Sequence, residues 1–192
     1  MATRIHITGV GGQGTVLATS LIGQAALMTG INVNVSEVHG MARRGGVVES
    51  AVTLGDLISP IISDGEADIL LGFEPAETLR ALSKCSNKST IVTNTHPLPP
   101  FTVSIGQGKY PDVDDLLAKL KKRVKNLVAL DADKLAHQAG SVLSLNMVML
   151  GALSRHSDLP VGPKELKKAI KENTKKKFLD INIKAFDLGY NS

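Results

Sequence analysis

Residues 4–30 read RIHITGVGGQGTVLATSLIGQAALMTG, and this stretch decides the fold. Its first part, RIHITGV (4–10), has the β-branched apolar character of a buried strand. Its last part, TVLATSLIGQAALMTG (15–30), reads as a helix, with Gly30 where a C-terminal cap belongs. Between them lies Gly9-Val10-Gly11-Gly12-Gln13-Gly14, which fits G-x-G-x-x-G. A strand, a tight glycine turn and a helix form the opening of a βαβ unit, so the sequence predicts an α/β fold.

The rest of the chain continues that alternation. INVNVSE (31–37), VVESAVTLG (47–55), ADILLGFE (67–74), STIVTN (89–94), FTVSI (101–105) and NLVALD (126–131) read as strands. EPAETLRALSKC (74–85) and DVDDLLAKLKKRVKN (112–126) read as helices, and the chain from Asp133 onward looks helical. In the second of these helices Asp112, Asp114 and Asp115 precede Lys119, Lys121, Lys122, Arg123 and Lys125, the order that suits the helix macrodipole. THPLPP (95–100) is a loop, because its prolines lack backbone donors and bias their predecessors away from helix. The expected architecture is a three-layer, Rossmann-like α/β fold. It has a mostly parallel sheet, helices on both faces and a helical C-terminal part, with residues 1–192 forming one domain.

Composition narrows the function classes. The 192 residues are 43% hydrophobic but only 3% aromatic, with no Trp, so the core must be aliphatic. Cys85 is the single cysteine, which excludes an internal disulfide and an iron–sulfur cluster ligated by this chain alone. A reducing cytoplasm fits, and neither a signal segment nor an apolar run of membrane-spanning length is present in the sequence. The net charge of +4 comes from two lysine-rich helical faces without interleaved aromatics, a pattern of solvated faces rather than of nucleic-acid binding.

The glycine motif admits two readings. Glu37 ends the second strand about 20 residues beyond Gly14, where an acid would meet a ribose hydroxyl in a nicotinamide site. Alternatively, the glycines only permit a tight strand-to-helix turn in a doubly wound sheet. Thr15 follows Gly14, so the phosphate-binding pattern that needs Lys there fails. The histidines are scattered, and no metal site is expected. The stretch SEVHGMARRGG (36–46) crowds Ser36, Glu37, His39, Arg43 and Arg44 ahead of Gly45 and Gly46 at a strand's carboxyl end. Two arginines there could hold a carboxylate or phosphate, and the glycines suit a ligand-facing or hinged loop.

Four segments taken in order resemble the gamma-type subunit or domain of the 2-oxoacid:ferredoxin oxidoreductases. They are GVGGQGTVLATSLIGQAA, EVHGMARRGG, SLNMVMLGAL with its Asn146, and KKKFLDINIKAFDLGY. EVHGMARRGG is most similar to the indolepyruvate branch of that family. The resemblance implies oxidative decarboxylation of a 2-oxoacid to an acyl-CoA with reduction of ferredoxin, in a complex using thiamine diphosphate, Mg, [4Fe-4S] clusters and coenzyme A. It implies that a large cofactor-bearing subunit is the partner and that no catalytic residue or cofactor is held by this chain alone. The site-facing residues would be Gly9, Gly11, Gly12, Gln13, Gly14, Ser36, Glu37, His39, Arg43, Arg44, Gly45, Gly46 and Asn146. Met147 and Met149 are candidates either for partner contact or for ordinary core. The rival readings are a free-standing NAD(P)-binding oxidoreductase and a purely structural scaffold.

Overall fold

A computed structural model describes residues 2–39, 46–100, 103 and 105–192. Six strands form one sheet in the order β2-β3-β1-β4-β5-β6. They are β1 (Thr3–Val10), β2 (Val33–His39), β3 (Val47–Leu54), β4 (Ala67–Gly72), β5 (Cys85–Asn94) and β6 (Asn126–Leu130). The described helices are α1 (Thr15–Met28), α2 (Pro75–Arg80), α3 (Val113–Arg123), α4 (Ala132–Ala139), α5 (Leu145–His156), α6 (Pro163–Asn173) and α7 (Lys176–Tyr190). None of them is long and apolar enough to cross a membrane.

The central strands are apolar on both sides because helices cover both faces. Ile69, Leu71 and Val92 join Ile5 and Ile7 in a core under α1, α4, α5, α6 and α7. Their neighbours Leu70 and Ile91 point the other way, to a smaller core with Ala81, Cys85, Leu120 and Val124 beneath α2 and α3. The acid-first, base-last helix forms as expected: the Asp112 side chain accepts from the amides of Asp114 and Asp115, and Lys121, Lys122 and Arg123 occupy the last turn. Gly30 ends α1 at φ +76°, with Gly30 N–H and Ile31 N–H bonding back to Leu27 and Ala26 carbonyls.

Pairings β1–β4, β4–β5 and β5–β6 are parallel, as expected, but β3 runs antiparallel between β1 and β2. The expected strand 101–105 lies partly outside the described residues. Its described members Val103 and Ile105 are not in the sheet, since Val103 is helical and the amide of Gly106 bonds to its carbonyl.

His6 sits in β1 with 5% exposure, and its Nε2 lacks a hydrogen-bond partner among the described residues. Burial lowers its pKa below 6.5, with Lys84 adding to the effect and Glu49 opposing it. The native state therefore binds fewer protons than the unfolded chain, so this contribution to stability is complete above about pH 6.5 and is lost as the pH falls below it. Denaturant unfolding at about pH 7.5 and about pH 5 should show a larger acid loss in the natural chain than in His6→Gln. Equal losses would show that His6 does not titrate this way.

Candidate functional site

Because β3 is antiparallel, its amino end lies beside the carboxyl ends of β1 and β2: Val47 pairs with Val10, and Val48 with His39. The segment joining β2 to β3 thus starts and finishes at the edge of the sheet that carries the glycine loop. A hydrogen bond from Gly11 N–H to the Gly46 carbonyl, 2.9 Å, ties the two motifs together. Helix α1 leaves β1 towards one face, whereas α2 follows β4 onto the other. The loops after β1 and β4 therefore flank a crevice at a topological switch point, where open α/β sheets place their ligands.

Gln13 fixes the glycine loop. Its Oε1 accepts from Val10 N–H at 2.8 Å, and its Nε2 donates to the Phe73 carbonyl at 3.0 Å, clamping the loop to the end of β4. Gly9 is buried, Gly12 is exposed, and Gly14 caps α1 at φ +80°. A Cβ at Gly14 would be strained by that φ and would lie 2.7 Å from Asn146 Nδ2. Asn146 is 3% exposed and its Oδ1 has no partner among the described residues. No side chain caps α1 and its first turn holds no acid, so its amino end can face an anion.

The remaining candidates divide. Ser36 and Glu37 belong to β2, whose strand runs two residues further than expected, to His39. They pair with Ala51 and Ser50 of β3, which separates them from β1. Glu37 therefore does not stand on the strand next to the glycine loop, where a ribose-binding acid would be needed. The His39 side chain, Met41, Arg43, Arg44 and Gly45 lie outside the described residues. Met147 and Met149 are 1% and 0% exposed, so they are core and cannot dock a partner.

Sequence reading missed a polar assembly at the ends of β5 and β6. Fully buried Asn94 donates to Asp133 Oδ2 at 2.9 Å and to the Phe73 carbonyl at 3.1 Å. Its Oδ1 accepts from the amides of Ala132 and His96 at 3.0 and 3.2 Å. His96, Asp131 and Asp133 each bring one potential metal-ligating atom within 4.8 Å of the others, although no metal site was expected. Asp131 also caps α4 by accepting from Lys134 N–H. His96 and Asp133 share a cavity of about 200 Å³ with Gly12, Gln13 and Gly14.

The sequence pattern described as pyruvate ferredoxin/flavodoxin oxidoreductase matches residues 4–192. The chain is 40% identical over 190 residues to the indolepyruvate oxidoreductase subunit IorB of Methanothermobacter thermautotrophicus, covering 99% of this chain and 97% of that one. It is 41% identical over 192 residues to the protein of the same name from Archaeoglobus fulgidus, covering 100% and 95%. The fold matches part of the 2-oxoglutarate:ferredoxin oxidoreductase from Magnetococcus marinus, a structure with 2-oxoglutarate, coenzyme A and succinyl-CoA bound. That match has a TM-score of 0.75 and 21% identity, and covers 99% of this chain and 30% of the other.

Proposed function

Because this chain belongs to the pyruvate ferredoxin/flavodoxin oxidoreductase family, we propose that it acts as the subunit without cofactors in a 2-oxoacid:ferredoxin oxidoreductase whose substrate is indolepyruvate or another arylpyruvate. Residues 1–192 form its single gamma-type domain. The observation that carries the site assignment is the Gly11–Gly46 hydrogen bond, which joins the glycine loop to the end of the segment bearing Arg43 and Arg44. In this reading the two motifs together complete the partner's active site or the approach of coenzyme A. Arg43 or Arg44 counters a carboxylate or phosphate there through its planar two-donor fork.

The redox chemistry belongs to the partner. A [4Fe-4S] cluster takes four thiolates, whereas Cys85 is the only cysteine. It is fully buried, and burial raises its pKa to about 11. Nor does the sequence carry the acidic Gly-Asp-Gly segment followed by paired asparagines that would hold Mg and the pyrophosphate of thiamine diphosphate. These residues do not fit either group. The position of Glu37 on β2 also weighs against the NAD(P)-binding alternative.

The test is coexpression with the cofactor-bearing subunit. The two chains should elute together, and the complex should reduce ferredoxin with an arylpyruvate and coenzyme A while this chain alone is inactive. Arg44→Ala should leave assembly intact and lower kcat/KM for the 2-oxoacid or coenzyme A about tenfold to hundredfold, the equivalent of one charge-assisted contact. Turnover by this chain alone overturns the division of labour, and full turnover by the partner alone removes this chain from the site. An assembled Arg44→Ala complex with normal kinetics removes Arg44 from the site.

A further inference from the structure

The cavity of about 200 Å³ beside the glycine loop has a second wall with a chemistry of its own. His96 stands two residues past β5, Asp131 directly after β6, and Asp133 in the first turn of α4. The parallel β5–β6 pairing therefore delivers one imidazole and two carboxylates to the same end of the sheet. One ligand atom from each lies within 4.8 Å of the other two. Leu98, Val142 and Leu143, all exposed and the last by 82%, line the cavity together with His96 and Asp133. A solvated acidic turn would have polar neighbours, whereas an apolar surround limits water and strengthens charge interactions.

The three side chains are held from behind and left free in front. Fully buried Asn94 donates to Asp133 Oδ2 at 2.9 Å, and its Oδ1 accepts from His96 N–H and Ala132 N–H. One carboxamide thus orients the Asp133 carboxylate and fixes the backbone on either side of the cluster, the part an outer-shell residue plays around a metal. Two residues past His96, Leu98 N–H donates at 3.2 Å to Oε1 of buried Glu74, whose Oε2 caps α2 by accepting from Glu77 N–H. The His96 ring and the second oxygen of each aspartate, by contrast, make no hydrogen bond or ion pair among the described residues. Capping explains Asp131 Oδ1, and the dipole of α4 favours both acids, but neither accounts for an imidazole brought beside them.

We propose that His96, Asp131 and Asp133 hold a divalent transition-metal ion of the Zn²⁺ or Mn²⁺ type at this cavity. A nitrogen ligand with two carboxylate oxygens suits such ions, whereas Ca²⁺ and Mg²⁺ take oxygen. Two ligands of a tetrahedral ion, each about 2.1 Å from it, lie about 3.4 Å apart. Exposed His96 and Asp131 can turn inwards to that spacing around half-buried Asp133, which Asn94 anchors. Three protein ligands leave at least one coordination position for water or an anionic oxygen, and Gly14 at the amino end of α1 lines the same cavity. The redox groups assigned to the partner are a separate matter: this ion would be resident on the present chain.

The full chain, prepared without a histidine tag and stripped with a chelator, is titrated by calorimetry with zinc, manganese, calcium and magnesium chlorides, and with cobalt chloride as a visible-absorption probe. One Zn²⁺ or Mn²⁺ per chain is expected, bound more tightly than Ca²⁺ or Mg²⁺, with d–d absorption from bound Co²⁺ and a raised melting temperature. His96→Ala and Asp131→Asn should each weaken binding by at least the about 10- to 100-fold that losing an outer-shell partner costs. Both side chains are exposed and Asn keeps the helix cap, so the metal-free variants should melt like the natural chain. His156→Gln, outside the cluster, should bind as the natural chain does. Absence of saturable binding below the millimolar range overturns the proposal, as does a preference for Ca²⁺ or Mg²⁺. Binding indifferent to His96→Ala or to Asp131→Asn also overturns it, marking an adventitious ion only. None of these outcomes touches the subunit assignment, which coelution and ferredoxin reduction test separately.

Discussion

Gly151→Val, and separately Gly189→Val, should remove most of the soluble folded protein. Helices α5 and α7 cross where each presents a glycine to the other's backbone. A Cβ on Gly151 would fall inside the contact radius of the Phe186 carbonyl oxygen and 2.8 Å from Tyr190 N, and one on Gly189 would meet the Val148 carbonyl oxygen. The obstacles are backbone atoms, so no side-chain rotation relieves them. The cost should reach or exceed the upper end of the roughly 1–3 kcal/mol typical of overpacking. Gly23 is the control: it is also buried in a helix, but a Cβ there would lie 3.6 Å from its nearest neighbour, Val35 Cγ2. Gly23→Ala should be neutral or stabilising by about 0.5–1 kcal/mol. Soluble yield and circular-dichroism melts separate these cases. A Gly151→Val protein that melts like the natural chain would show that the helices can part without penalty.

Asn94→Leu should be the second most damaging change. The carboxamide serves four partners, and replacing it with an isobutyl group strands the buried Ala132 amide and takes one donor from the Phe73 carbonyl. At about 1–3 kcal/mol for each group left without a partner, a loss of roughly 2–4 kcal/mol is expected. Guanidinium unfolding should show a lower midpoint with an unchanged slope. Gln13 donates to the same Phe73 carbonyl, so Asn94→Leu and Gln13→Ala should combine non-additively. Strict additivity would show that the shared acceptor does not couple them.

The β1–loop–α1 unit was legible because each part carries its own signal: a β-branched run, glycines where φ is positive, a long apolar stretch free of proline and a C-terminal glycine. The direction of β3 was not. A strand's composition reports burial and not polarity along the sheet, and only the short connection from β2 hinted at a hairpin. Met147 and Met149 could be read either way, since their helix is buried almost all round and offers no one-sided stripe. Asn94, His96, Asp131 and Asp133 were not read as one cluster because they meet only through the parallel pairing of β5 with β6. Glu74 and Glu77 were more accessible: Glu-Pro-Ala-Glu directly after a strand has an acidic cap, a first-turn proline and a second acid three residues on.

The Gln13 clamp also bears on time. Its two hydrogen bonds end on backbone groups at the carboxyl ends of β1 and β4, so the glycine loop is held in place before any ligand arrives. An anion reaching the start of α1 has no loop to order, and the entropy of immobilising that backbone is already spent in folding. Association at this loop should therefore be a single phase whose rate follows ligand concentration, without a slow isomerisation after encounter. Discrimination between one anion and another must then lie in how long each stays.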